Sequence, residues 1–125
     1  MKNLGDILKK KVKLKLVKEN INLLDFETQS KENKKTITFS YDNTKYFIKI
    51  LDEVILFKRE NNDFIHSFEF ILNKKSTSTY LIKENNYYLD VEIFTNKILI
   101  TEDTIEIVYI VIDSKEEIKL ILKRW

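Results

Sequence analysis

An all-β fold, a single antiparallel up-and-down β-barrel of eight to ten strands, is what this sequence predicts, and three observations carry the prediction. From residue 36 onward apolar and polar residues alternate in short runs, the period of two that turns one strand face inward. Composition points the same way. There is no alanine or proline against eighteen isoleucines, eight phenylalanines and six tyrosines, and branched and aromatic side chains fit a pleated, half-buried surface. Finally, each run ends in a cluster of Asn, Asp, Lys or Glu short enough to be a hairpin turn, at a spacing of about ten residues.

Taken in order, the chain opens on an N-terminal segment, residues 1–10, where Leu4, Ile7 and Leu8 fall on one side of a short helix over residues 1–9. "KVKLKLVK" then sets Val12, Leu14 and Leu16 against Lys11, Lys13 and Lys15, and "INLLDFET" reads as a second strand. Residues 28–35, "TQSKENKK", read as the longest loop. "TITFSY" places Ile37, Phe39 and Tyr41 on one face; after "DNT", "KYFIKIL" does the same with Tyr46, Ile48 and Ile50. "EVILFKR", "FIHSFEFIL", "KSTSTYLIK", "YYLDVEIF", "NKILIT", "TIEIVYIVID" and "EIKLILKR" continue the series, joined by "DE", "ENND", "NK", "ENN", "TN", "ED" and "DSK". The single glycine, Gly5, lies outside these links, so asparagine is expected to supply their left-handed backbone. A meander this long closes on itself so that no edge stays unpaired. With no internal boundary or repeat, residues 1–125 form one domain.

Several chemistries are excluded or disfavoured. The chain has no cysteine, which removes disulfides, zinc–thiolate sites and cysteine nucleophiles. One glycine cannot build a phosphate loop or a nucleophile elbow. The hydroxyls of "KSTSTY" therefore read as the wet face of a strand. The acidic pairs Asp52/Glu53, Glu102/Asp103 and Glu116/Glu117 fall in turns, and Asp90 and Glu92 share an outer face with Tyr88 and Phe94, so no metal site or catalytic carboxylate pair is expected. The N-terminus lacks the apolar core of a signal peptide and no run is long enough for a membrane-spanning helix, so the expected location is cytoplasmic.

The one histidine, His66, lies in "DFIHSFEF" and shares its strand face with Phe64, Phe68 and Phe70. Its unperturbed pKa of about 6.5 makes it the natural titrating group near neutrality. Three readings stand, in falling order: a core histidine bonded to a tyrosine, threonine or carbonyl, a ligand contact in a barrel cavity, and a catalytic group. Hairpin register bears on the choice. A two-residue "NK" turn sets Ser67 against Tyr80 and His66 against Leu81. A three-residue "NKK" loop sets Phe68 against Tyr80 and His66 against Ile82, with Tyr80 on the histidine's face. Arg59, one of two arginines, follows Ile55 and Phe57 on one face. At a barrel rim it either grips an anion through its planar fork or closes the end by bonding carbonyls.

Six lysines crowd residues 9–18, while residues 84–117 hold nine acids and two lysines. In a closed meander the first strand lies beside the last ones, so cross-strand charge pairing is the first reading of this run. RNA binding is the weaker one, since residues 9–18 contain no aromatic side chain. "VILF", "IVYIVI" and "LILKRW" are apolar on both faces, which calls for a helix, the N-terminal segment or a second subunit over the outer wall.

"ILFKRENNDF", Phe70 followed by Tyr80 in "FILNKKSTSTY", "LDVEIFTNKILI" and "TIEIVYIVIDSKEEIKLIL" together resemble, in order, the YwiB-like family of uncharacterised bacterial β-barrel proteins. The resemblance spans residues 36–123 and rests on Tyr41, Arg59, Phe70, Tyr80, Thr95 and Tyr109; Asn73 and "KENNYY" depart from it in turns. It implies a calycin-like, lipocalin-related barrel of unassigned function, with no catalytic residue, cofactor or metal. The expected function is therefore a non-enzymatic binding module for a small apolar or amphipathic ligand. Its interior is lined by Phe39, Tyr41, Phe68, Phe70, Tyr80 and Tyr109, with His66 and Arg59 as the polar contacts. The alternative is an interaction or assembly protein, a homodimer or partner surface on the late strands.

Overall fold

The computed structural model describes residues 8–125, and over that span the fold is a closed antiparallel barrel of ten strands. These are β1 (Leu8–Lys18), β2 (Ile21–Glu32), β3 (Thr36–Tyr41), β4 (Thr44–Leu51), β5 (Val54–Glu60), β6 (Phe64–Ile71), β7 (Lys75–Ile82), β8 (Tyr87–Ile100), β9 (Thr104–Val111) and β10 (Glu116–Arg124). Neighbours in sequence are neighbours in space, and β1 pairs with β10 from Val12↔Arg124 to Lys18↔Ile118 to close the wall. Alternation does what it predicts. Leu14, Ile37, Ile48, Ile55, Phe70, Ile93, Ile105, Ile107 and Leu122 point inward and are fully buried, each contributing about 1.5–3 kcal/mol.

Three boundaries differ from the expectation. The helix placed at residues 1–9 falls mostly outside the described residues, and Leu8–Lys10 belong to β1. Most of the loop placed at 28–35 is strand, because Thr28–Glu32 extend β2 opposite Leu8–Val12. "TN" is no turn: β8 runs straight through it, and the pairing with β9 skips Asn96 as a bulge. In the remaining turns asparagine supplies half of the left-handed positions, and Glu19, Asp42, Glu53 and Lys115 supply the others. Glu19–Asn20 and Asp42–Asn43 take positive φ at both positions, and Asn73 and Asn86 do so singly.

The two ends of the barrel are built differently. At the end carrying the β2–β3, β4–β5, β6–β7 and β8–β9 turns, Arg124 ties β10 to β2 and to the β8–β9 turn, while a depression of about 360 Å³ lies among Leu51, Val54, Ile71, Leu72, Ile98 and Ile100. Arg124 Nη1 donates to Glu32 Oε1 at 2.8 Å, and its Nη2 donates to the carbonyls of Glu102 at 3.0 Å and Thr101 at 3.3 Å. Glu32 is itself buried and accepts a bond from Ser30 Oγ at 3.3 Å. The opposite end is looser. There β2 is laddered to β3 only over Ser30–Glu32, and β9 begins its pairing with β8 at Ile93, so Tyr87–Val91 of β8 have a ladder with β7 alone.

Part of the outer wall of the doubly apolar strands is flanked by lysine. Val108 is an outward residue lying between Lys97 and Lys119 on the flanking strands, and lysine stems of this kind can shield apolar surface while keeping their charge in water. Among the described residues there is no helix.

Candidate ligand cavity

The looser end opens into a cavity of about 340 Å³ lined chiefly by Leu16, Leu23, Leu24, Phe57, Arg59, His66, Phe68, Phe70, Tyr109, Ile118 and Leu120. Its walls come from both sides of the barrel: β1 and β2, β5 and β6, β9 and β10. Of the seven residues singled out from sequence, five line it: Arg59, His66, Phe68, Phe70 and Tyr109. The other two stand aside. Tyr41 is exposed and covers the gap between β2 and β3, its ring stacked on Phe26 at 4.2 Å. Tyr80 backs His66 from behind the lining, edge to face at 5.0 Å. Phe39 faces the interior as expected, packed in the core against Tyr46 at 5.0 Å, outside the cavity lining.

Strand register assembles the polar part of the site. Tyr46, Arg59, His66 and Tyr80 are directly opposite one another on β4, β5, β6 and β7, so they form one row across the inner face. The β6–β7 register is neither of the two considered from sequence: His66 faces Tyr80 and Ser67 faces Thr79. The pairing stops there because serine hydroxyls take over the bonding. Ser78 Oγ donates to the Ser67 carbonyl at 3.1 Å, Ser76 Oγ donates to the Glu69 carbonyl, and Asn73 N–H is drawn to the Thr95 carbonyl of β8 at 2.8 Å. Thus "KSTSTY" is a bonding strand as well as a wet one.

This network sets the state of His66. Because Ser78 spends its one proton on Ser67, its oxygen accepts from His66 Nε2 at 3.2 Å. Hence Nε2 carries the imidazole proton and Nδ1 is a bare acceptor, buried and without a protein partner. The sequence reading paired the histidine with a tyrosine, threonine or carbonyl; its partner is a serine. Burial and the Arg59 charge together push its pKa down to about 4. Burial likewise raises the Tyr109 hydroxyl well above its usual range.

Arg59 has a buried Nε that lacks a hydrogen-bond partner. Its guanidinium lies over the rings of Phe64 at 5.0 Å and Tyr46 at 5.9 Å. Those contacts hold it without neutralising it. Of the two roles open to it from sequence, closing a barrel end by bonding carbonyls is performed by Arg124. A signal for Arg124 was available, since it follows Leu120 and Leu122 on the apolar face of its strand; Glu32 follows Thr28 and Ser30 and had none.

Other surfaces are less concentrated. A depression of about 590 Å³ on the outer wall, bordered by Lys31, Lys45, Lys58 and Glu60, is more open to solvent and contains none of the unpartnered buried atoms. The lysine-rich first strand pairs mainly with β2, through Lys11–Glu27 at 3.4 Å and Lys13–Asp25 at 3.9 Å. Only Lys18–Glu116 at 2.6 Å reaches the late acidic strands expected to neutralise it. Among the described residues no three His, Asp or Glu side chains cluster, and no helix is long and apolar enough to cross a membrane.

No family model and no curated protein sequence matches the chain. Among solved structures it is similar to the crystal structure of the YwiB protein from Bacillus subtilis, at 14% identity and a TM-score of 0.66, over 93% of this chain and 88% of that one. The two share the barrel fold, as the sequence resemblance implied.

Proposed function

We propose that this protein is a non-enzymatic binding module that holds one small apolar or amphipathic molecule in the cavity at its looser end. One observation carries the reading: a partly open, mainly apolar space of about 340 Å³ is lined by Phe57, Phe68, Phe70 and Tyr109 together with two polar side chains, Arg59 and His66. Pockets of this size, apolar with a few convergent polar groups, suit small ligands. A lipocalin-like, cytoplasmic binding barrel of bacterial origin is the setting this reading assumes.

Calorimetric titration with 1-acetylnaphthalene, an uncharged probe of suitable size, tests it. Binding is expected in the micromolar range, and Leu120→Trp, which fills the cavity, should abolish it. Failure of both neutral and acidic probes to bind, or unchanged binding by a folded Leu120→Trp variant, overturns the reading.

A second reading, self-assembly, is favoured by β8. Tyr87, Tyr88 and Leu89 are exposed on a stretch laddered on one side only, and such an edge can pair with its own copy. Sedimentation as a monomer at high concentration counts against it.

A further inference from the structure

On the outer wall, register brings together lysines and an aromatic ring that are scattered along the chain. Outward side chains of β2 to β7 form one directly opposed row: Lys31, Thr38, Phe47, Lys58, Ser67 and Thr79. Phe47 points outward because its neighbours Tyr46 and Ile48 are buried on the inner face, and it keeps part of its ring exposed. Lys45 and Lys49 lie two residues to either side of it, about 7 Å along β4. One aromatic ring is thus flanked by four lysines. Depressions of about 590 and 280 Å³ meet at Phe47 and Lys58, and together they reach from Lys31 to Thr79. Five strand-to-strand steps make this groove about 24 Å long. Its acids are Glu60, which Lys83 bonds at 2.9 Å, and Glu69 in the smaller depression, so the half over β2 to β5 is the basic one.

We propose that this groove, separate from the cavity and independent of its ligand, binds single-stranded nucleic acid. A base stacks on Phe47, and the phosphates on either side of it bond Lys31, Lys45, Lys49 and Lys58. Lysines that track a backbone around an aromatic stacking platform are what sequence-tolerant recognition of a single strand needs, and about 24 Å is room for roughly four nucleotides, the lower end of the range for small barrels. Other partners use less of the site. An acidic peptide answers the lysines but offers Phe47 no ring to stack, and the bases of a duplex are already stacked on one another. The first strand, where lysines are densest, has charge without the platform: residues 9–18 contain no aromatic side chain, and Lys11 and Lys13 are met by Glu27 and Asp25 of β2. The combination missing there is assembled across β2 to β5, from residues that no single stretch of sequence holds.

The test is fluorescence anisotropy of the full chain with labelled oligouridylate and oligothymidylate of about a dozen nucleotides, with a duplex of the same length and with oligoglutamate, over a range of salt. Either single strand is expected to bind in the micromolar range at low salt, at least tenfold more tightly than the duplex or the peptide. Its affinity should fall with salt at a log–log slope of about −3, since each phosphate met by a lysine contributes about −0.7. Phe47→Leu should weaken binding about fivefold or more with the slope unchanged. The double variant Lys45→Gln, Lys58→Gln should flatten the slope by about 1.4, and Lys11→Gln with Lys13→Gln on the first strand should shift affinity less than twofold. Binding of neither strand at low salt overturns the proposal. Equal binding of oligoglutamate overturns the nucleic-acid assignment, and single-strand binding that ignores Phe47→Leu, or that the first-strand lysines carry instead, overturns the groove as its site.

Discussion

The two arginines of this chain sit at opposite ends of one barrel and face opposite electrostatic situations. Arg124 meets a buried carboxylate and two carbonyls, so its charge is answered within the protein and ties the strands of that end together. Arg59 meets two aromatic rings and a neutral imidazole, so its charge is positioned and left unanswered, beside an open cavity. One residue type thus serves stability at one end and recognition at the other. What separates them is the presence of Glu32.

The largest test of that contrast is Arg124→Leu. Removing the arginine strands Glu32 as a buried unpaired carboxylate, and breaking a buried pair this way costs about 3–5 kcal/mol. Chemical denaturation should show this loss, and adding Glu32→Leu should restore much of it. If the single variant stays within about 1 kcal/mol of the parent, the ends do not differ as described.

Next in size is the acid response of His66. Its folded pKa of about 4 lies below its ordinary value of 6.5, so between those limits the unfolded chain binds more protons. Stability therefore rises with pH through that window and is lost as pH falls from about 6.5 towards 4. The full effect is roughly 2–3 kcal/mol, discounted for the ring's partial exposure. Denaturation midpoints of the parent across this range should fall more steeply than those of His66→Gln. Parallel curves would remove the buried, neutral histidine from the account.

Smallest is Arg59→Met. No carboxylate loses its partner, one unpartnered buried donor disappears, and two cation–π contacts of about 0.5–1 kcal/mol each are given up. The net change in stability should lie within about 1 kcal/mol. The acid sensitivity of His66 should shrink as well, since Arg59 contributes to lowering its pKa. A loss as large as that of Arg124→Leu would show that Arg59 also has a structural role.

Much of the fold was legible because its signals are local. Alternation marked the inward faces, and Asn20, Asn43, Asn73 and Asn86 took the left-handed positions expected of asparagine in turns nearly free of glycine. The misreadings have local causes too. Thr95–Asn96 carries turn residues, yet a bulge tolerates the same types, and nothing nearby in sequence reveals that β9 continues alongside. Thr28–Glu32 look like loop because their wet face is lysine and glutamine. Ser30 and Glu32 are buried only because β1 and Arg124 come to meet them.

By itself, the sequence determined a meander of eight to ten short alternating strands, the inward face of most of them, the absence of thiol chemistry and the crowding of aromatics around His66. Those are properties of neighbours along the chain, settled by periodicity and residue type. Only the tertiary structure decided which arginine meets a carboxylate, that His66 lies between Arg59 and Tyr80, and that Tyr41 caps a seam instead of lining the cavity. These depend on register and closure, where a shift of one or two residues leaves the local pattern intact and changes every partner across the sheet.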